Sequence, residues 1–328
     1  MALSFIPGIT KPGLLLLGSE SSGKSGTATV IRDIIDPVSG DLISFEDDIK
    51  DVKVLLEQNH IPAFDNMNSL TPKEADTLCQ AVTGITYESR RLFTNKEMVS
   101  ITLKKTWIGT AINEVSTASD FVSRVYNVDI DAGKTTPLGD MGVDHLKRNL
   151  LPGMQALLLD CVAATLSNKQ IIKPSFMHRF YDAHLLTLKM GDVLGIKAET
   201  INKIWKDNLD RQHRQTLEAK GFVTPLVQLI IEHSREWTGT TAELFSDLNR
   251  FCERNYIPRD LSWPKTYKSF GHQLKTVERG LRTMGVTITT GAKNRRERTF
   301  SFVGDSSDFL LENTDHISNV TPFKKVSY

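Results

Sequence analysis

The stretch LLLLGSESSGKSG, Leu14 to Gly26, decides how the chain is read. Four leucines end abruptly in glycines, serines and one lysine. Gly18, Gly23, Lys24 and Ser25 fit the phosphate-loop pattern G-x-x-x-x-G-K-[ST]. Each residue type has a task in such a loop. Glycine lets backbone N–H groups turn inward round an anion, where a Cβ would obstruct the turn or the phosphate. The lysine reaches the β- and γ-phosphates, and the serine hydroxyl ligates Mg2+. The flanks agree. An apolar run is what a parallel strand buried on both faces requires. SGTATVIRDII, which follows Lys24, reads as a helix whose N-terminal dipole faces the anion. This reading gives triphosphate contacts to Gly18, Ser19, Glu20, Ser21, Ser22, Gly23, Lys24, Ser25 and Gly26. The competing reading is a polar turn with a coincidental lysine.

A nucleotide site also needs a carboxylate for the metal, and HIPAFDNMNSL offers one. Ile61 to Phe64 is apolar, Asp65 ends the run and Asn66 follows. A carboxylate at the carboxyl end of a strand lies where ligands bind in open α/β sheets. Pro62 suits the first residue of that strand, since proline cannot donate to a central ladder. Taken alone, AFD fits a helix cap or turn equally well.

The chain has 328 residues, enough for two or three modest domains. Lys and Arg number 40 against 39 Asp and Glu, so net charge argues neither for nor against a nucleic-acid partner. Cys79, Cys161 and Cys252 stand far apart, which fits a reducing compartment and no zinc site. The apolar runs are too short to span a bilayer and no signal sequence opens the chain. The expectation is a cytoplasmic protein with no membrane partner.

Beyond Val143 the pattern is helical, with Pro152 marking the start of a second helix. SFMHRFYDAHLLTLKMGDVLGI and AETINKIWKDNLDRQHRQTLE give two more. His178, His184 and His213 show no metal-ligand spacing. A breaker cluster at Gly221 to Pro225 ends this region. The rest reads helix, helix, helix, then a hairpin. TYKSFGHQLKTVERGLRTMG is basic and amphipathic, and VTITTGAKNRRERTFSFV alternates as two strands about a basic connection. That order predicts a winged helix. Lys268 and Lys275, with Lys265, His272 and Arg279, fall mainly on one helical face, and Lys293, Arg295, Arg296 and Arg298 lie in the wing. Their expected role is contact with DNA phosphates. The competing role is protein contact or bracing of a ring. The tail after the second strand is polar and reads as loosely ordered.

Three blocks follow in order: LLLLGSESSGKSGTATVIRDIIDP, AFDNMNSLTPKEADTLCQAVTGITYESRRLFTN and WIGTAINEVSTASDFVSRV. Together they resemble the AAA+ ATPase module of replication proteins from phages, plasmids and staphylococcal-cassette-type mobile elements. That family is distantly related to minichromosome-maintenance helicases. The resemblance continues through LLPGMQALLLDCVAATL and MHRFYDAHLLTLKMGDVLGI and covers most of the chain. It implies ATP as the nucleotide. It also implies a pore hairpin, matched by TGITYESRRLFTNKEMVSITL, in which Arg90 and Arg91 grip DNA; a solvated hairpin is the alternative. Thr110 aligns with the sensor-one position, usually Asn, with Asn113 as fallback. Arg124 aligns with the arginine finger that reaches a neighbouring subunit's γ-phosphate; a helical pair with Asp120 is the alternative. Arg148 and Arg179 are alternatives for a second sensor. Asn66 departs from the usual Glu and cannot act as a base. Glu20, Glu46 or Asp47 would then activate water, or hydrolysis would be slow.

The expected fold is an α/β P-loop NTPase (AAA+) core over residues 1–137 with a helical lid over 138–220. A mostly α winged-helix DNA-binding domain (221–303) and a flexible tail (304–328) follow. The expected function is an ATP-dependent DNA translocase or replicative helicase module. It is expected to form a ring, a hexamer in the resembled family's manner, and to work with a primase or polymerase. Relatives of this kind carry further N-terminal material, so a fragment, a split gene product or a minimal motor is expected. The alternative is an ATP-switched initiator or loader with slow hydrolysis.

Overall fold

The computed structural model describes residues 1–38, 40, 42–45, 49–90, 98–131, 139–170, 172–218, 220–259, 262–291 and 297–303. The chain forms two compact units, Met1–Gln212 and His213–Tyr328.

The first unit is built on a five-stranded sheet. Its strands are β1 (Gly13–Leu17), β2 (Ile43–Ser44), β3 (Ala63–Asp65), β6 (Ile108–Ala111) and β7 (Val125–Asp129). All pairings are parallel, in the order β2-β3-β6-β1-β7. The leucine run explains the central place of β1. Successive side chains on a strand point to opposite faces. Leu15 and Leu17 enter one buried cluster with Phe64 and Trp107, and Leu16 enters another with Ala28 and Ile108. Both faces are therefore covered. Pro62 lies just before β3 rather than in it, and its carbonyl accepts from Ile108 N.

Helices α1 (Lys24–Ile35), α2 (Ile49–Gln58), α3 (Pro72–Thr83) and the short α4 (Ser119–Val122) connect these strands. The start of α3 is written locally. Thr71 Oγ1 accepts from Glu74 N, Thr71 N donates to Glu74 Oε2 at 2.6 Å, and Pro72 takes the first turn. An antiparallel hairpin, β4 (Ile85–Arg90) with β5 (Met98–Leu103), interrupts the α/β order, as the alternating sequence predicts.

Helices α5 (Asp140–Asn149), α6 (Leu151–Ser167), α7 (Tyr181–Val193) and α8 (Ala198–Glu218) follow. The break between α5 and α6 is a bend of 50°, with Pro152 in the first turn of α6. Helix α7 starts six residues later than the apolar pattern implies. There His178 and His184 meet Phe176 and Trp205 in one group of stacked and tilted rings. Among the described residues no single helix is long and apolar enough to cross a membrane.

The unit boundary falls inside α8, ahead of the breaker cluster at Gly221. The second unit contains α9 (Val223–Glu232), β8 (Glu236–Thr240), α10 (Thr241–Arg254), α11 (Tyr267–Thr283), β9 (Val286–Thr290) and β10 (Glu297–Phe302). Its sheet is antiparallel in the order β8-β10-β9. Strand β8 corrects the sequence reading, which had only two strands here. It is a five-residue EWTGT segment that alternates weakly, burying Trp237 and Gly239. Helix α11 buries Phe270, Leu274, Val277 and Leu281, the three-and-four spacing of one helical face.

Candidate functional site

The carboxyl ends of β1, β3 and β6 gather the residues that the sequence singles out. The loop after β1 runs from Gly18 to Gly23 and opens directly into α1. Gly23 has φ +88°, a conformation that costs other residues energy, and it caps α1. Gly18 is packed so closely that a Cβ would lie 2.4 Å from the Ile130 carbonyl oxygen. Both positions need glycine, for different reasons. Ser22 is buried beneath the loop, whereas Glu20, Ser21 and Ser25 are exposed. Lys24 Nζ donates to Gly18 O at 2.8 Å and Ser19 O at 2.5 Å, folding its ammonium back over the loop. Gly26 lies in the first turn of α1.

Below the loop, one carboxylate collects two hydroxyl donors. Ser25 Oγ donates to Asp65 Oδ1 at 2.8 Å, and Thr110 Oγ1 donates to the same oxygen at 2.5 Å. Thr110 is 1 % exposed and its oxygen also accepts from Asn66 N at 2.9 Å. Its one proton is thus directed at Asp65, so Thr110 orients the carboxylate. Asn66 has φ +51°. Asn tolerates this left-handed backbone better than Glu does, a local reason for the departure at this position. Hard oxygens from Ser25 and Asp65 form a donor set suited to Mg2+.

Of the acids proposed to replace a base at Asn66, Glu20 is exposed, and Glu46 and Asp47 lie outside the described residues. Asn113 is exposed in the turn after β6.

Arg124 is elsewhere. It precedes β7, and its carbonyl accepts from Gly13 N at the opposite end of β1 from the loop. Five strand residues separate those ends, about 16 Å at the usual rise per residue. Its side chain is 14 % exposed and ion-paired with Asp120, the helical pairing weighed as the alternative. Arg179 approaches the same Asp120 at 3.6 Å, whereas Arg148 is exposed on α5. No residue of this trio touches its own chain's loop.

Arg90 ends β4, while Arg91 lies outside the described residues, as do Lys293, Arg295 and Arg296. Lys268 and Lys275 are exposed on α11, seven residues apart and so on one face. Arg298 is corrected from wing loop to strand. It sits in β10 opposite Gly239 and Thr290, because the Gly291 N–H to Glu297 carbonyl bond closes the hairpin first.

The sequence did not reveal the chamber beside the loop. A cavity of about 560 Å³ lies between residues 21–27 and a wall supplied by α1, α5 and α6. Two polar clamps hold that wall. Lys147 on α5 pairs with the buried Asp33 at 2.8 Å, and Gln155 Nε2 on α6 donates to Ile34 O at 3.0 Å.

Comparison with known proteins places the chain. It matches no curated protein. Among solved structures, the apo A form of the NrS-1 C-terminal region is 14% identical, over 92% of this chain and 69% of that one, with a TM-score of 0.40. JCV helicase is 11% identical, over 60% of this chain and 55% of that one, with a TM-score of 0.33. Residues 222–307 match the AICE RepA C-terminal domain, and residues 3–188 match the actinomycete integrative conjugative element replication protein. The mobile-element reading thus holds, with an integrative conjugative element in place of the phage, plasmid and cassette types. The chain belongs to the family of actinomycete integrative conjugative element replication proteins.

Proposed function

We propose that this replication protein is an ATP-dependent DNA translocase or helicase module of AAA+ type, followed by a winged-helix DNA-binding domain. The observation that carries the reading is the Ser25–Asp65–Thr110 hydrogen-bond chain beneath a loop built on Gly18, Gly23 and Lys24. A parallel sheet with β1 between β6 and β7 supports it, because that order delivers three strand ends to one edge. For the second unit, support comes from the order α9-β8-α10-α11-β9-β10 and the exposed lysines of α11.

In this reading the loop amides of residues 18–23 cradle the phosphates of ATP, and Lys24 exchanges its two carbonyl partners for phosphate oxygens. Ser25 and Asp65 hold Mg2+, which neutralises charge on the phosphates. Thr110 fixes the orientation of Asp65. Arg124 is too far from its own loop to act there, so it serves the site of a neighbouring copy. This makes a ring, a hexamer in the resembled family, the working form. The lid extends to about residue 220, and the winged helix occupies 221–303. The Arg90–Arg91 hairpin and the wing bind DNA phosphates in the cytoplasm, with a primase or polymerase as further partner.

Asn66 favours a second reading, an ATP-switched initiator or loader. Its amide is no base, and its left-handed backbone disfavours the usual Glu. Turnover of ATP with and without single-stranded DNA separates the two. A motor is stimulated strongly by DNA; an initiator hydrolyses slowly in both conditions. In either case Lys24→Ala abolishes nucleotide binding. Arg124→Ala preserves binding and abolishes turnover, and normal turnover in that variant refutes the shared site.

A further inference from the structure

We infer that Lys147 and Gln155 are positioning residues for nucleotide binding. They pin Leu146 and Met154 to the far end of α1 and so hold ready the wall against which the nucleoside part of a triphosphate rests. The inference deepens the proposed nucleotide site and rests on that assignment.

Helix α1 meets the loop at one end and the wall at the other. Gly23 caps its N-terminus, and its last turn holds Asp33 and Ile34. Asp33 is buried. A buried carboxylate at the C-terminal end of a helix is doubly unfavourable, because it loses water and faces the negative end of the dipole. Two cations offset this. Arg32 Nε and Nη2 donate to Asp33 Oδ1 at 2.9 and 2.8 Å, and Lys147 Nζ pairs with Asp33 Oδ2 at 2.8 Å. Arg32 is itself held, since Nη2 also donates to Gly40 O at 2.8 Å. The helix end has a second need. The last four carbonyls of an α-helix lack intrahelical partners, and Pro37 has no N–H to offer Asp33 O. Gln155 Nε2 donates to two of these carbonyls, Ile34 O at 3.0 Å and Asp33 O at 3.4 Å.

Each anchor is the chain neighbour of a wall residue. Leu146 precedes Lys147, Met154 precedes Gln155, and Leu146 and Met154 both line the chamber. Adjacent helical residues point about 100° apart, so one side chain can reach α1 while its neighbour meets the chamber. Loop and wall are thus fastened to the two ends of one helix. A surface set in place before the ligand arrives adds to affinity, because its ordering cost is already met. A wall in place for only part of the time raises the apparent Kd by the inverse of that fraction. A ligand made of phosphates alone reaches the loop and does not sense the wall.

The test uses the full chain with Mg2+ and measures Kd by calorimetry for ATP and for inorganic tripolyphosphate. Lys147→Met keeps the aliphatic stem and removes the charge. Gln155→Leu removes only the donor, and it carries the test should the first variant fail to fold. The expected result is a Kd for ATP raised about tenfold, with tripolyphosphate within about twofold of the unaltered chain, as for a wall in place about a tenth of the time. Lys147→Arg restores ATP binding. Unchanged ATP binding, or equal losses for both ligands, overturns the positioning role and leaves the two residues as braces of the fold. If the unaltered chain does not bind ATP, the nucleotide site itself falls.

Discussion

Ser25 Oγ and Asp65 Oδ1 lie 2.8 Å apart, joining the first turn of α1 to the end of β3. The two oxygens are held close enough to ligate one cation from adjacent positions. Ser25→Ala removes one ligand without disturbing the core, since Ser25 is exposed. The expected outcome is a loss of ATP affinity of about tenfold or more in Mg2+ and no change in EDTA, the selective effect of a lost metal ligand. Calorimetry under both conditions checks it. An equal loss in EDTA would assign Ser25 to the phosphates instead.

Thr110 links Asp65 to the Asn66 backbone from a buried position. Thr110→Val keeps the shape and leaves a backbone N–H and a carboxylate each short of a partner. The expected cost is about 1–3 kcal/mol of stability in the first unit, with turnover lost, because unsatisfied buried groups are expensive. Thr110→Ser restores both hydrogen bonds and most of the turnover. Urea unfolding monitored alongside ATP hydrolysis reads the two effects, and a fully active valine variant would remove Thr110 from the site.

His178 Nε2 and His184 Nδ1 lie 3.0 Å apart among Phe176 and Trp205. Burial, and then the neighbouring His178, push His184 from 6.5 down to about 4. Burial also lowers His178. The unfolded chain therefore binds more protons than the folded one below pH 6.5. Stability is complete above that value, falls as the pH drops towards about 4, and levels off below it. For the His178–His184 pair the loss is on the order of 1–3 kcal/mol, since the two imidazoles titrate as a coupled pair. Denaturant midpoints across this range should flatten in His184→Phe. An unchanged slope would place the acid sensitivity elsewhere.

Tyr256 follows α10 with φ +54° and is 93 % exposed. Ile257 N donates to Cys252 O at 2.9 Å and Tyr256 N approaches Glu253 O, the two bonds of a helix end that favours glycine at this position. Tyr256→Gly relieves the backbone and loses no packing. Stabilisation of the second unit by roughly 0.5–1 kcal/mol is expected, allowing for the greater freedom of unfolded glycine. Thermal unfolding measures it, and a destabilised glycine variant would mean that the ring makes a contact worth more than the strain.

The legible parts of this protein are those written in neighbouring residues. The Leu14–Leu17 run and the glycines after it announce a strand, a turn and a helix start, because burial on two faces and positive φ leave local marks. Thr71, Pro72 and Glu74 mark the start of α3 in the same way. The Phe270–Leu281 spacing marks the buried face of α11. Strand β8 was hidden because its reason to exist is β10, some sixty residues away.

The family resemblance supplied Thr110 and Arg124 as candidates, but not their surroundings. That Thr110 gives its proton to Asp65, that Arg124 is folded onto Asp120, and that Val143, Leu146 and Met154 wall a chamber depend on which elements meet. Local spacing fixes which face of a helix is apolar. It does not fix what that face is packed against, because the partner comes from a distant part of the chain and is chosen by the closure of the whole core.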